Sequence, residues 1–191
     1  PPGFDGGRSF IPAGRRHVAW GRAPRAGAAV RQISMDKKIK ILMAFGTRPE
    51  AIKMAPVAIE MAQRPDNCMA VICVTSQHRE MQDQALRVFG IKPDYDLNLM
   101  KPGQSLNQVV ASILGRMPEV LEQEKPDYVL VQGDTSTAFA VSLAAFHLRI
   151  PVGHIEAGLR THRRYEPFPE EINRTLISTT ASIHFAPTEH A

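Results

Sequence analysis

The sequence is short of cysteine and has no long hydrophobic run. Its two cysteines, Cys68 and Cys73, do not form a CxxC pair, which excludes a zinc or redox motif of that kind. Cys73 lies in an apolar run and is typical of a buried small residue, so we expect no disulfide. No apolar stretch approaches the roughly 20 residues that span a bilayer. The sequence therefore does not indicate a membrane protein.

Familiar catalytic and nucleic-acid-binding patterns are missing as well. There is no GxGxxG or Walker A loop, no Ser–His–Asp arrangement stands out, and the seven histidines show no metal-ligand spacing. The excess of basic charge belongs to the first 34 residues, which hold six arginines and one acid, a net charge of +5. The remaining residues hold 17 basic and 18 acidic side chains, a net charge of −1. A near-neutral folded region argues against nucleic-acid binding.

Residues 1–34 have the composition of a disordered tail. Proline, glycine, alanine and arginine dominate, lysine is absent, and there is neither strand alternation nor a helical stripe. Because this stretch is rich in arginine and poor in acids, an organelle transit peptide is one interpretation. We favour translated upstream sequence or a gene-model artefact, since Met35 begins a segment that resembles a natural start followed by a strand. The predicted organisation is a tail at 1–34 and one folded domain at 35–191.

From Met35 onward, short apolar runs alternate with segments of helical periodicity. This alternation predicts a doubly wound, Rossmann-like α/β domain with a parallel sheet covered on both faces. The predicted strands are Ile39–Phe45, Met69–Thr75, Tyr128–Gln132, Val152–Ile155 and Ser182–Pro187, with a short extended piece at Tyr95–Leu99. The predicted helices are Pro49–Gln63, Glu80–Phe89, Leu106–Glu124, Thr137–Leu148 and Glu170–Thr180. In such a sheet all strands end at the edge where ligands bind.

The residues after the first two strands indicate an anionic ligand. Gly46 ends the first strand and allows close backbone approach, and a helix amino terminus follows with Arg48 and Lys53 nearby. The alternative for Lys53 is a solvated position on the helix surface. The second strand is followed by three candidate ligand contacts, Gln77, His78 and Arg79. Helix capping, by Ser76 for example, explains only part of that polar cluster.

Carboxylates are expected at the same edge. Asp134 follows the third strand, Glu156 follows the fourth, and Glu170 and Glu171 begin the last helix. Each has a structural alternative. Asp134 or Thr135 would cap a helix, Arg160 would neutralise Glu156, and one of the two glutamates would stabilise the helix dipole. If three acids converge with Lys53 around one hollow, they indicate metal-free proton transfer on an anionic substrate.

Six ordered blocks of the sequence resemble the non-hydrolysing UDP-N-acetylglucosamine 2-epimerases. They are FGTRPEAIKMAP (45–56), SQHREM (76–81), PDYDLNLMKPGQSL (93–106), VQGDTSTAFA (131–140), PVGHIEAGLRT (151–161) and PFPEEINRTL (167–176). The resemblance implies one half of a two-domain, GT-B-type architecture, without the C-terminal domain that makes most UDP contacts. It also implies interconversion of UDP-N-acetylglucosamine and UDP-N-acetylmannosamine at C2, by elimination and re-addition of UDP.

The resemblance also assigns roles to individual residues. By similarity, Asp134, Glu156 and Glu170 match the catalytic carboxylates of the family, and Lys53 is expected among its catalytic residues. The expected substrate-binding residues are Arg48, Arg160 and Arg174. The expected contacts to a second, activating UDP-N-acetylglucosamine are Gln77, His78 and Arg79. The resemblance does not say which acid removes the proton and which returns it.

The remaining expectations concern the whole protein. A UDP-sugar is the expected partner, with no cofactor, metal, nucleic acid or membrane, and the full-length parent is expected to be a cytoplasmic homodimer in polysaccharide synthesis. Two alternatives stand beside the epimerase: half of a GT-B UDP-sugar glycosyltransferase, and an inactive truncated gene product. We expect residues 1–191 alone to be inactive, because the principal binding domain for the diphosphate is missing.

Overall fold

A six-stranded parallel sheet organises the part of the chain that this computed structural model describes, residues 38–75, 79–99, 101 and 103–191. The strands are β1 Ile39–Phe45, β2 Cys68–Val74, β3 Tyr95–Asp96, β4 Tyr128–Gln132, β5 Val152–Ile155 and β6 Ile183–Phe185. The helices are α1 Arg48–Ala62, α2 Arg79–Val88, α3 Leu106–Glu124, α4 Ser136–His147 and α5 Glu170–Thr180. The predicted tail, residues 1–34, lies outside the described residues.

The strands are ordered β3-β2-β1-β4-β5-β6, and every neighbouring pair is parallel. Strand β1 alternates between the two faces, because Leu42 and Ala44 join one core cluster whereas Met43 and Phe45 join the other. The first cluster includes buried residues of α3, α4 and α5, and the second includes those of α1 and α2. This confirms the predicted doubly wound α/β fold.

Helix α3 illustrates how the sequence pattern becomes packing. Its residues Ile113, Met117 and Leu121 recur every four positions, and at most 1% of each is exposed. Burial of each such side chain contributes about 1.5–3 kcal/mol. Ser105 and Gln108 form a reciprocal capping box that begins the helix, and Lys125 ends it in a left-handed conformation. No helix of the described residues is both long and apolar enough to cross a membrane.

Strand register brings the ends of the central strands to one level. Phe45 of β1 pairs with Val74 of β2, and Gln132 of β4 pairs with Ile155 of β5. The chain then leaves each strand at the same edge of the sheet. A side chain on Gly46 would not fit there, since a Cβ atom would lie 2.3 Å from the Oγ1 atom of Thr75.

Candidate functional site

Glu156, directly after β5, is the centre of the candidate site. Both of its carboxylate oxygens accept hydrogen bonds from Lys53 Nζ, at 2.7 and 2.9 Å. Gln132 Nε2 donates to the Oε2 atom of the same carboxylate, and Arg174 NH1 donates to the Glu156 main-chain carbonyl. The backbone of Glu156 is left-handed, with φ of 63°. Glu156 is therefore held through its side chain and through its main chain.

Asp134, after β4, is joined to the same cluster by Arg174. The NH2 group of Arg174 donates to Asp134 Oδ2 at 2.5 Å, and the Asn173 side chain donates to the Asp134 carbonyl at 2.9 Å. The Arg174 side chain is only 6% exposed, whereas that of Asp134 is 28% exposed. One buried guanidinium thus connects the two loops that present Asp134 and Glu156, and we call Lys53, Asp134, Glu156 and Arg174 the acid–base cluster.

Glu170, the first residue of α5, lies one helical turn before Arg174. Its Oε2 atom is buried and accepts no hydrogen bond from the described residues. No described contact links its carboxylate directly to those of Asp134 and Glu156. The helix therefore brings Glu170 to the neighbourhood of the acid–base cluster through Arg174, and convergence of all three carboxylates stays a prediction.

Glu171 has a different environment from Glu170. Its carboxylate accepts hydrogen bonds from Arg160 Nε and NH2 at 2.9 and 2.7 Å, and from the main-chain N–H groups of Thr161 and His162. Hydrogen bonds from Arg160, with those from Thr161, lower the pKa of Glu171 from its ordinary value of 4.5 to about 2. Glu171 therefore fixes the loop that follows β5.

The structure decides between several of the alternatives left open by the sequence. The proposed pair of Glu156 with Arg160 is wrong, because Arg160 reaches Glu171 and Lys53 neutralises Glu156. Lys53 is half exposed, with 49% of its side chain accessible, but it is not merely solvated.

Helix α4 is capped by Thr135, whose hydroxyl accepts from the Ala138 N–H at 3.0 Å, so Asp134 is not needed as a cap. Arg48 is exposed at the start of α1. Gln77 and His78 lie outside the described residues, as does the side chain of Arg79, so their predicted role stays untested.

The sequence did not single out Glu50, although its carboxylate is 1% exposed and lies at this edge. Glu50 Oε2 accepts from the main-chain N–H groups of Gly46 and Thr47, and Oε1 accepts from the Thr135 hydroxyl at 2.7 Å. Burial raises the pKa of Glu50, while these hydrogen bonds oppose the effect. One carboxylate thus connects the amino terminus of α1, the helix that carries Lys53, with that of α4, which begins two residues after Asp134.

Gln132 and His154 are two further polar residues that sequence reasoning missed. Both are buried in otherwise apolar strands, and that isolated polarity was the available signal. His154 Nε2 lies 2.6 Å from the Gly133 carbonyl oxygen, so this nitrogen carries the proton and donates it. Burial lowers the pKa of His154, which favours the neutral ring. The ring supports Gly133, whose φ of 72° turns the chain toward Asp134.

Two grooves lie elsewhere on the described part of the chain. One of about 370 Å³ is lined by residues that include Lys101, Gln104 and Arg116, and another of about 480 Å³ by residues that include Phe146 and Ile150. Neither is lined by the acid–base cluster. Among the described residues, no group of three or more His, Cys, Asp or Glu side chains is arranged to hold a metal ion.

Comparison with known proteins places this chain in a family. The family model described as UDP-N-acetylglucosamine 2-epimerase matches residues 60–191. The chain belongs to the UDP-N-acetylglucosamine 2-epimerase family. The matched region includes Asp134, Glu156, Glu170 and Arg174, which the sequence analysis had assigned to the site.

Individual relatives agree with the family match. The UDP-N-acetylglucosamine 2-epimerase of Neisseria meningitidis serogroup A is 59% identical over 151 residues, which are 79% of this chain and 40% of the relative. The protein of the same name from Escherichia coli K12 is 58% identical over 151 residues, with the same coverage of 79% and 40%.

A crystal structure of the Neisseria meningitidis UDP-GlcNAc 2-epimerase bound to UDP-GlcNAc matches with a TM-score of 0.77 at 58% identity. That match covers 80% of this chain and 41% of the solved one. The chain spans about two fifths of the length of the curated relatives it matches.

Proposed function

We propose that residues 38–191 supply the proton-transfer half of a non-hydrolysing UDP-N-acetylglucosamine 2-epimerase. The substrate would be UDP-N-acetylglucosamine, and the product UDP-N-acetylmannosamine. The observation that carries this proposal is the acid–base cluster, in which Lys53 and Arg174 hold two carboxylates at the ends of adjacent strands. Such a cluster fits a reaction that moves a proton and releases an anion.

The proposed reaction has two balanced steps. A carboxylate removes the proton from C2 while the bond between C1 and the diphosphate oxygen breaks, which gives UDP and 2-acetamidoglucal. The diphosphate oxygen then adds back to C1, and an acid returns a proton to the other face of C2. Because the C2 proton is not next to a carbonyl, its removal depends on departure of UDP, so cations near the diphosphate stabilise the transition state.

The proposed roles follow the placement of the residues. Asp134, Glu156 and Glu170 exchange the proton, and Lys53 with the exposed Arg48 stabilises the leaving diphosphate. For Arg174, burial and its contacts to both loops favour support of the carboxylates over direct contact with substrate. Arg160, whose side chain is 31% exposed, is the proposed additional contact to substrate from the loop after β5.

The test uses a chimera in which residues 38–191 replace the matching segment of the Neisseria meningitidis relative. The chimera is incubated with UDP-N-acetylglucosamine in heavy water, without any acceptor, and both UDP-sugars are followed by NMR. We expect both epimers to form with deuterium at C2, because the returned proton comes from solvent. A folded chimera that turns over without deuterium at C2 would refute the elimination mechanism, and strict dependence on an acceptor would favour a glycosyltransferase.

Matched variants test the assignment of the acids. Asp134→Asn, Glu156→Gln and Glu170→Gln are each expected to lower kcat by about a hundredfold or more, since general acid–base groups contribute at least that much. Glu119→Gln makes the same chemical change on the exposed surface of α3 and is expected to leave kcat unchanged. Equal activity of the three variants and the control would remove these carboxylates from the mechanism.

Three wider proposals rest on the resemblance to the family. The complete protein acts as a homodimer in the cytoplasm and supplies polysaccharide synthesis. The loop with Gln77, His78 and Arg79 binds a second, activating UDP-N-acetylglucosamine. The 191-residue chain alone does not epimerise, because the matched relatives are more than twice as long as the segment it covers; epimerisation by the purified chain would overturn this last proposal.

A further inference from the structure

We propose that Gln132 is a positioning residue that keeps the Glu156 carboxylate in place when Lys53 turns toward the substrate diphosphate. The inference rests on the proposed function, since it assigns Lys53 two successive partners. It concerns a glutamine at the end of an apolar strand, which lies in the block VQGDTSTAFA (131–140) but to which the sequence assigned no role.

The Gln132 side chain contacts the Glu156 carboxylate directly. Gln132 Nε2 donates to Glu156 Oε2, one of the two oxygens that Lys53 also contacts. Gln132 is 3% exposed and closes β4, where it pairs in register with Ile155, the residue before Glu156. The donor therefore belongs to the sheet itself, and its partner on the neighbouring strand, Ile155, directly precedes Glu156.

The two side chains that donate to Glu156, Lys53 and Gln132, differ in charge and in burial. Lys53 presents its ammonium on a long side chain that is 49% exposed, and ion pairs at such positions contribute little and exchange readily. It is also the group that a diphosphate attracts. The Gln132 amide is neutral and buried, so the charge of an arriving diphosphate does not attract it away from Glu156.

The backbone of the loop after β5 is fixed separately from the Glu156 side chain. Glu156 adopts a left-handed conformation, and Arg174 NH1 binds its carbonyl oxygen. Arg174 thus fixes the position of the Glu156 main chain, but it does not contact the Glu156 carboxylate. Once Lys53 moves, Gln132 is the remaining described donor to the carboxylate, and a misplacement of about 1 Å costs on the order of a hundredfold in rate.

The contact is tested in the 191-residue chain by side-chain amide NMR. The Gln132 amide signals are identified by their loss in Gln132→Met. We expect them to move strongly in Glu156→Ala, which removes the acceptor, and much less in Lys53→Met, which removes only the second donor to the shared Oε2 atom. The proposal would be overturned if the Gln132 amide signals did not move in Glu156→Ala, or if they moved equally in Glu156→Ala and Lys53→Met.

The role is tested in the chimera with kinetics and a double-mutant cycle. Gln132→Met, which keeps size and removes the donor, is expected to lower kcat about ten- to a hundredfold with KM changed less than about threefold. Lys53→Met is expected to raise KM as well. Gln123→Met is the matched control on the exposed surface of α3 and is expected to change neither constant.

Because Gln132 acts through Glu156, Gln132→Met is expected to change the residual rate of Glu156→Gln less than about twofold. Equal losses in both backgrounds would show a general structural effect and refute the positioning role. A folded wild-type chimera without activity would count against the proposed function instead, and the amide signals would then decide whether Gln132 holds Glu156.

Discussion

Replacing Arg174 by methionine tests the geometry of the candidate site without any enzymatic assay. Arg174 is 5% exposed and connects the Asp134 carboxylate with the Glu156 carbonyl. Methionine keeps most of the apolar stem and removes both donors. Removal of one partner from a buried ion pair costs about 3–5 kcal/mol. Since the Asp134 side chain is 28% exposed and water reaches it, we expect the lower end, about 3 kcal/mol.

The assay is urea unfolding of the 191-residue chain, with thermal unfolding in parallel. For a domain of this size, a loss of about 3 kcal/mol lowers Tm by about 6–12 °C. Arg116→Met is the matched control, because Arg116 lies on the exposed surface of α3 with 58% of its side chain accessible. We expect that control to change the unfolding free energy by less than about 0.5 kcal/mol.

A double-mutant cycle makes the result specific to the pair. Asp134→Asn keeps the size of the side chain and an acceptor oxygen, and we expect a coupling free energy with Arg174→Met of about 1.5–3 kcal/mol. If Arg174→Met unfolds the chain outright, Asp134→Asn still reports a destabilisation of about 1–2 kcal/mol. An Arg174→Met variant as stable as Arg116→Met would refute the described arrangement of the acid–base cluster.

Three further predictions concern the loops around the cluster. The folded-state pKa of Glu171 is lowered from 4.5 to about 2, so its stabilising contribution is present above pH 4.5 and is lost as the pH falls toward 2. In Glu171→Gln, the free energy of unfolding in urea should therefore depend less on pH between 4.5 and about 2 than in the unchanged chain. Thr135→Val removes both the cap of α4 and the hydrogen bond to Glu50, so we expect the free energy of unfolding to fall by about 2 kcal/mol in the same assay. Thr135→Ser keeps the hydroxyl and should retain most of the stability. Equal losses in the two variants would contradict the role of the hydroxyl in joining α4 to Glu50. Gly46→Ala places a Cβ atom 2.3 Å from the Thr75 hydroxyl and should cost about 1–3 kcal/mol; a neutral variant would show that this edge is loosely packed.

Much of the fold was predictable from the sequence, because apolar periodicity determines which segments are buried. The bounds of β1, β4, β5, α3 and α5 are those predicted, and the other main elements differ by one or two residues at each end. The extended piece predicted at Tyr95–Leu99 is shorter as a strand, which covers only Tyr95 and Asp96. The N–H groups of Leu97 and Leu99 still donate to the carbonyl oxygens of Val74 and Thr75, so the chain continues alongside β2 after the strand ends.

The sequence predicted that Asp134 and Glu156 lie at one edge of the sheet, but it did not predict their contacts. Parallel topology brings Asp134 and Glu156 to one edge, and the sequence alone indicates this. Partner choice depends on side-chain reach, which spacing does not encode. Lys53 and Arg160 both lie near Glu156 along this edge, yet Glu156 binds Lys53 and Arg160 binds Glu171.

Support residues were the hardest to predict. Glu50 has the sequence signature of an ordinary capping box, and its link to Thr135 joins residues 85 positions apart. Gln132 lies in the block VQGDTSTAFA, but its spacing suggests no role, and its polarity at the end of a buried strand is what sets it apart from the rest of β4. Long-range polar partners of this kind are fixed by the packed fold and not by local sequence.

The Glu50 bridge has a consequence for exchanging parts between related proteins. The turns before α1 and α4 share one buried carboxylate, so a graft of the first turn into a protein without a hydroxyl at position 135 leaves Glu50 without one of its donors. Recombination between this domain and a relative should place its crossover points so that Gly46–Glu50 and Thr135 always come from the same parent. Chimera libraries in which both turns come from one parent should contain a larger fraction of folded proteins than libraries with a crossover between the two turns.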